Sequence, residues 1–419
     1  MRNAALAALA LVIVAAVVVY ALAERPESSA VATPTPTTAL SATPSPSAPT
    51  PTGSASPSAT TSGTAGAVTM QVARTTVPAE FRYLVLGGGD EFRLVVLDLN
   101  AGRATEVATA RIALPPGAPS GPSAAVAAST DGRTVLLTFD VPDATDSLFA
   151  VRPETGEAKL LLRGQIFAGA ISPDGARFAI GRIDGDPALT GLWIGSLDGA
   201  IRRLIADNPA SAGAPPLPYA FSPDGGLLAF GAALGESGSR AMVISTSSQE
   251  GRVDRSGGSL QIVGAEVSPV GPAVGVEFRS ARELFAWSSR SMVGGTTVAY
   301  LYDLATKRST DLYRPTGDVL ITAEASRPNS GEYATVERPS CCGLFVPGTA
   351  AWLRGPDGSA RKLGDAAFVV DMWWSRDGSR LFALTGGDDS IGGVTDLLTG
   401  KGVMQFCRRG GGPPPAPCT

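Results

Sequence analysis

Short apolar runs punctuated by turns, rather than long amphipathic stretches, organise most of this chain. The segment "ISPDGARFAIGRIDG" at 171–185 is followed by a near copy, "FSPDGGLLAFGAALG" at 221–235, and by a looser one, "WSRDGSRLFALTGGD" at 374–388. In each, a turn gives way to a brief apolar run of strand type. Pro173 presets the backbone angle for the second position of a type I turn, and Asp174 can hydrogen-bond its own local backbone. Gly175 supplies the left-handed conformation that a residue with a Cβ resists. Ser-Pro-Asp-Gly therefore predicts a tight hairpin between two buried strands.

Two such signatures alternate. The opening turn reads "STDG" at 129–132, "SPDG" at 172–175 and 222–225, and "SRDG" at 375–378, with degraded forms "SPVG" at 268–271 and "RPNSGE" at 327–332. The second signature is an apolar strand ending in a Gly-containing turn. It occurs seven times, with turns at 102, 156, 199, 251, 307, 358 and 400, and Lys307 stands where Gly is expected. Each unit holds about four strands, which is the mark of a β-propeller blade. The expected fold is all-β, a seven-bladed β-propeller over 67–407. Six blades follow if the fifth or sixth unit is not a true blade.

Ser-Pro-Asp-Gly followed by an apolar strand resembles the repeat of TolB-like propellers and of the propeller domains of prolyl-oligopeptidase-type enzymes. The resemblance covers about 340 residues. It implies a rigid scaffold that can host binding or catalysis. The sialidase-type Asp box and the Gly-His and Trp-Asp landmarks of WD repeats are absent, and no hydrolase-type segment follows the repeats.

The chain opens differently. Arg2 precedes an uncharged run from Ala4 to Ala23 containing "LALVIVAAVVVYALA". As a helix this run matches the hydrocarbon thickness of a bilayer, about 30 Å. Residues 1–25 read as a transmembrane anchor, or as a signal peptide cleaved after Ala23 in "ALA". Either places the remainder outside the cytoplasm, membrane-anchored or secreted. Residues 26–66, rich in Pro, Ser, Thr and Ala, lack the apolar content to bury a core and read as a disordered stalk. Extended, such a stalk reaches on the order of 100 Å, enough to cross a wall or polymer layer. Residues 408–419 form a Gly/Pro-rich tail.

Composition narrows the chemistry. The 419 residues contain no His, which excludes Ser-His-Asp and Cys-His nucleophiles and imidazole metal sites within the chain. The net charge of −4, without a basic cluster, argues against nucleic acid. No metal site and no cofactor are expected, and a monomer is. Asp388 and Asp389 alone are too few oxygen ligands to predict calcium. Trp373 and Trp374 are expected in the core of the last blade.

In a propeller blade the two repeated turns share one face, and the variable loops share the other. Recognition is expected on the variable-loop face. Two candidate stretches stand out. "SARELFAWSSRSMVGG" at 280–295 brings Arg282, Phe285, Trp287 and Arg290 into one expected connection, although "ELFAWS" also reads as a plain strand. "SCCGLFVPG" at 340–348 carries Phe345. Trp and Arg are favoured anchors in interfaces. The four cysteines, Cys341, Cys342, Cys407 and Cys418, lie on the exported side, where disulfides persist. Either the Cys341–Cys342 pair bridges to Cys407 and Cys418, stapling the tail to the neighbouring blade, or Cys407–Cys418 forms a local loop beside a bond between the adjacent pair. The leading function is an envelope-tethered binding or scaffold module, not an enzyme, whose partner is another envelope or extracellular protein or polymer. The alternative is an exterior hydrolase of glycans or lactones using carboxylates and Arg on the same face. Limited proteolysis is expected to cut within 26–66 and to leave a resistant core. Equal cutting near positions 150 and 250 would contradict one cooperative propeller.

Overall fold

The computed structural model describes residues 66–114, 121–142, 144–184, 186–207, 215–233, 239–255, 260–273, 275–288, 298–316, 319–339, 348–366, 369–387, 390–407 and 416–417. All regular structure among them is β. The first sheet takes β1 (Val68–Val72), β2 (Phe81–Gly88), β3 (Glu91–Asp98) and β4 (Arg103–Ile112) in the order β1-β4-β3-β2. Next come β5 (Ser123–Ala128), β6 (Val135–Asp140), β7 (Asp146–Arg152), β8 (Glu157–Ile171), β9 (Arg177–Ile183), β10 (Gly191–Ser196) and β11 (Ile201–Ala206). A third group holds β12 (Leu217–Phe221), β13 (Leu227–Ala233), β14 (Ser239–Ser245), β15 (Gly251–Asp254), β16 (Gln261–Val263) and β17 (Val267–Pro272). Two four-stranded sheets follow. One takes β18 (Gly275–Phe278), β19 (Glu283–Ser288), β20 (Val298–Asp303) and β21 (Arg308–Tyr313). The other takes β22 (Val319–Ser326), β23 (Tyr333–Pro339), β24 (Ala350–Arg354) and β25 (Ala360–Asp365). The last sheet runs through β26 (Val369–Trp374), β27 (Leu381–Gly387), β28 (Ser390–Asp396), β29 (Lys401–Cys407) and β30 (Ala416–Pro417).

The arrangement is a β-propeller, but not one of seven separate blades. Five sheets of four or five strands stand as separate blades, and one continuous nine-stranded sheet, β16-β15-β11-β10-β9-β8-β7-β6-β5, takes the place of the second and third sequence units. The cause is β8. Its fifteen residues contain no turn, so its first half pairs with β7 and its second half with β9. The hairpin β15–β16 then leaves the third group and adds to β11 in parallel. β17 replaces it as the partner of β14. The "SPVG" at 268–271 is therefore strand and not the expected turn.

Burial explains the strand chemistry. The second strands of the units, such as β6 and β9, lie between apolar layers on both sides and read as nearly continuous apolar runs. Outer strands such as β21 and β25 are largely polar and exposed. All strands of the last sheet come from the C-terminal part, and β1 stays in the first sheet. Among the described residues the two ends of the circuit meet without strand exchange. Leu84, Leu86, Val95 and Leu97 pack on Trp373, Phe382 and Val394, and Arg82 pairs with Asp371 at 2.5 Å. Trp373 and Trp374 are buried in β26 as expected.

The repeated turns share one detailed geometry. Ser172 is fully buried, and its Oγ donates to Asp174 Oδ1 at 2.5 Å and accepts from Arg177 N at 2.9 Å. Asp174 Oδ1 also accepts from Ala176 N, and Gly175 sits at φ 69°. The same bonds recur at Ser129/Asp131, Ser222/Asp224 and Ser375/Asp377. The serine hydrogen bond holds the Asp174 carboxyl below its ordinary range and, with the Ser379 bonds, Asp377 at about 2. Lys307 adopts φ 54°, the left-handed backbone for which Gly was expected. Ser172→Ala leaves the buried Arg177 N–H without its acceptor and is expected to cost about 1–3 kcal/mol in chemical denaturation. Exposed Thr155→Ala is expected to cost roughly 0.5 kcal/mol or less.

Candidate functional site

The two faces differ in what their polar groups are used for. On the turn face successive turns bind one another. Thr130 N donates to Pro173 O, Arg177 donates to Gly225 O and Thr246 Oγ1 at 2.9 Å each, and Arg327 Nε donates to Gly378 O at 2.8 Å. Arg279 donates to Ser330 O, and Arg376, lying over the Phe81 ring, donates to Thr130 O. The opposite face carries the longer connections. It holds a cavity of about 310 Å³ lined by Ala144, Thr145, Gly164, Gln165 and Asp184.

The cavity borders the continuous strand β8 at Gly164 and Gln165. Gly164 sits at φ 150° where β8 passes from one half of the sheet to the other. A Cβ there would come within 3.1–3.3 Å of the Arg182 guanidinium, so Gly lets that guanidinium lie against the strand. Arg182 Nη2 donates to Asp184 Oδ2 at 3.1 Å, and its buried Nε has no hydrogen-bond partner among the described residues. Asp184 Oδ1 accepts from Asp186 N at 3.1 Å. At the inner end of the connection, buried Asp146 accepts from Val141 N at 3.0 Å and Ile166 N at 2.7 Å. Burial, with a smaller contribution from Asp140, pushes the Asp146 carboxyl up to about 7. Asp146 therefore acts as a structural clasp beside the cavity. The first described residue, Gly66, lies against Ala144 and Thr145 at its rim.

The sequence candidates are dispersed. Arg282 is exposed in the turn between β18 and β19, on the turn face. Phe285, 1% exposed, is core in β19, its ring centroid 5.3 Å from that of Tyr333. Trp287 is half-buried and lies flat over Gly275. The described part of the expected connection, 280–288, is thus a turn plus a strand, because β17 completes the preceding sheet and the unit begins one strand later. Arg290, Phe345, Asp388, Asp389, Cys341, Cys342 and Cys418 lie outside the described residues, and Cys407 ends β29. Thr145, Gln165 and Asp184, which sequence reasoning missed, carried no motif; their one signal was the unbroken length of "EAKLLLRGQIFAGAI".

A second polar cluster lies between the sheets of β18–β21 and β22–β25. Glu337 Oε1 takes Arg354 Nη2 at 2.6 Å and Thr335 Oγ1 at 2.8 Å, and Glu337 Oε2 takes Tyr313 OH at 3.0 Å. Glu277 accepts from Ser326 N at 3.2 Å. Both oxygens of buried Glu324 lack a hydrogen-bond partner among the described residues. Burial first, then the charges of Glu277 and Glu337, push its carboxyl well up. Among the described residues no group of acidic or Cys side chains is arranged to hold a metal ion, and no helix is long and apolar enough to cross a membrane.

No protein-family model matches the chain, and no curated protein matches it. Similar solved structures include TolB from Acinetobacter baumannii, 13% identical, covering 68% of this chain and 62% of that one at a TM-score of 0.39. They include an oligogalacturonate lyase in complex with manganese, 12% identical, covering 83% and 98% at a TM-score of 0.49. They also include a prolyl endopeptidase, 13% identical, covering 76% and 49% at a TM-score of 0.47, so the chain spans about half that protein's length. The chain is a β-propeller.

The buried Glu324 carboxyl gives the propeller a pH signature. Folded Glu324 holds its proton more tightly than the unfolded chain, whose value is near 4.5. Its contribution to stability is full below pH 4.5 and is lost as pH rises through the raised folded value. Glu324→Gln is expected to raise the melting temperature at pH 8 and to flatten its fall above pH 4.5. An equal fall in the variant would contradict this.

Proposed function

We propose that the chain is an extracytoplasmic binding module that recognises its partner on the variable-loop face. One observation carries the reading. The turn face spends its donors and acceptors on neighbouring turns, whereas the loop face keeps an open, polar-lined cavity between Ala144–Thr145, Gly164–Gln165 and Asp184. A rigid scaffold with irregular loops around a concave polar site is the usual layout of a binding surface. The position of Gly66 agrees with it. Gly66, the position from which the expected 26–66 stalk would lead away, lies at the rim of that cavity. The apolar run from Ala4 to Ala23 supports export, as membrane anchor or signal peptide.

A photoreactive side chain placed at Thr145 is expected to give covalent adducts with envelope components in intact cells. The same group at Glu154, exposed on the turn face, is expected to give none. Adducts from position 154 alone would overturn the reading.

A further inference from the structure

We propose that the loop-face cavity binds one ring of a neutral glycan, with Asp184 accepting hydrogen bonds from adjacent ring hydroxyls and Thr145 and Gln165 completing the contact. The proposal rests on the loop-face reading above and names its ligand class.

The lining chooses among ligand chemistries. Among the described lining residues Ala144 supplies the only apolar side chain, so an apolar ligand would gain little on entering. Asp184 is a fixed acceptor. One oxygen is tied to Arg182 and the other to Asp186 N, and the side chain remains 31% exposed. Each carboxylate oxygen has a second lone-pair direction, which leaves two acceptor sites on a carboxylate that cannot swing away. Adjacent hydroxyls on a sugar ring present donors at matching separation. Thr145 brings a hydroxyl, and Gln165 brings an amide that both donates and accepts.

Charge excludes the nearest alternatives. The Asp184 carboxylate already faces the Arg182 guanidinium at 3.1 Å, so the pair is close to neutral. A carboxylate or phosphate ligand would meet Asp184 directly, while the compensating guanidinium is engaged behind it and against Gly164. A cation would find a carboxylate whose charge is already matched. A neutral hydroxyl donor gains charge-assisted hydrogen bonds without either penalty. The volume, about 310 Å³, lies at the small end of ligand cavities, roughly 300–1,000 Å³, and suits one ring rather than an oligomer enclosed whole.

The test is titration of the full chain, in a detergent without a sugar headgroup, with methyl α-glycosides of glucose, galactose and mannose. The uronic acid counterparts of these glycosides and inorganic phosphate are run beside them. At least one neutral glycoside is expected to bind saturably with a dissociation constant on the order of 1 mM, as suits a small exposed site. Its uronate is expected to bind about tenfold more weakly, and Asp184→Asn is expected to lose about tenfold for the neutral ligand. Gln165→Ala, at an exposed position, is expected to weaken binding about three- to tenfold with the near-ultraviolet circular dichroism unchanged. Tighter binding of a uronate or of phosphate overturns the proposal, as does undiminished affinity in both variants. Failure of every neutral glycoside to saturate also overturns it. If Thr145 adducts persist in that case, the ligand class alone is wrong. If they are missing too, the loop-face reading falls with it.

Discussion

The buried serine hydroxyl at the head of four repeated turns, Ser129, Ser172, Ser222 and Ser375, is the interaction on which the rest of the propeller depends. At Ser172 and Ser222 it is sealed from water and bonded to the Asp two residues on and to the backbone five residues on. It therefore closes the turn and sets the register of the two strands leaving it. The same closure aims side chains outward. Arg177 leaves the Ser172 turn toward Gly225, Arg327 reaches Gly378, and Arg376 reaches Thr130. Neighbouring sheets are thereby oriented by hydrogen bonds that have direction, while the apolar layers between them supply attraction without direction.

That division of labour frees the other face. Connections there need only span between strands, so their length and chemistry can vary. The cavity lies where one such connection is replaced by a continuous strand. Where a loop would separate two blades, β8 runs through, and the Arg182 guanidinium lies close against Gly164, where a Cβ would crowd it. Asp146 ties the inner end by bonding Val141 N and Ile166 N, which keeps the walls at fixed separation. The site is thus built on strands and backbone hydrogen bonds, and a binding surface of this kind loses little entropy when a ligand enters.

The acidic layer under β22 shows the opposite use of burial. Glu337 is matched by Arg354, Thr335 and Tyr313, and Arg354 stacks over the Tyr313 ring at 3.4 Å. Glu324 has no such match, and a buried carboxylate in that position costs free energy unless it holds a proton. Phe285 and Trp287 belong to the apolar part of this same layer. Their aromatic character serves packing between sheets.

The sequence by itself determined the local chemistry. Pro, Asp and Gly act on the backbone within a few residues, so the turns at 172–175, 222–225 and 375–378 were legible, as were the all-β class, the core placement of Trp373 and Trp374, and the turn at Lys307. What the tertiary structure decided was the choice of strand partners. A strand pairs with whichever edge is free beside it, and no local pattern states which edge that is. For that reason β17 became an outer strand where a turn was expected, and the hairpin β15–β16 crossed to β11. For the same reason two expected blades became one sheet through β8. Arg282 and Trp287 parted when the strand count shifted. Thr145, Gln165 and Asp184, distant in sequence, came together because β8 does not stop.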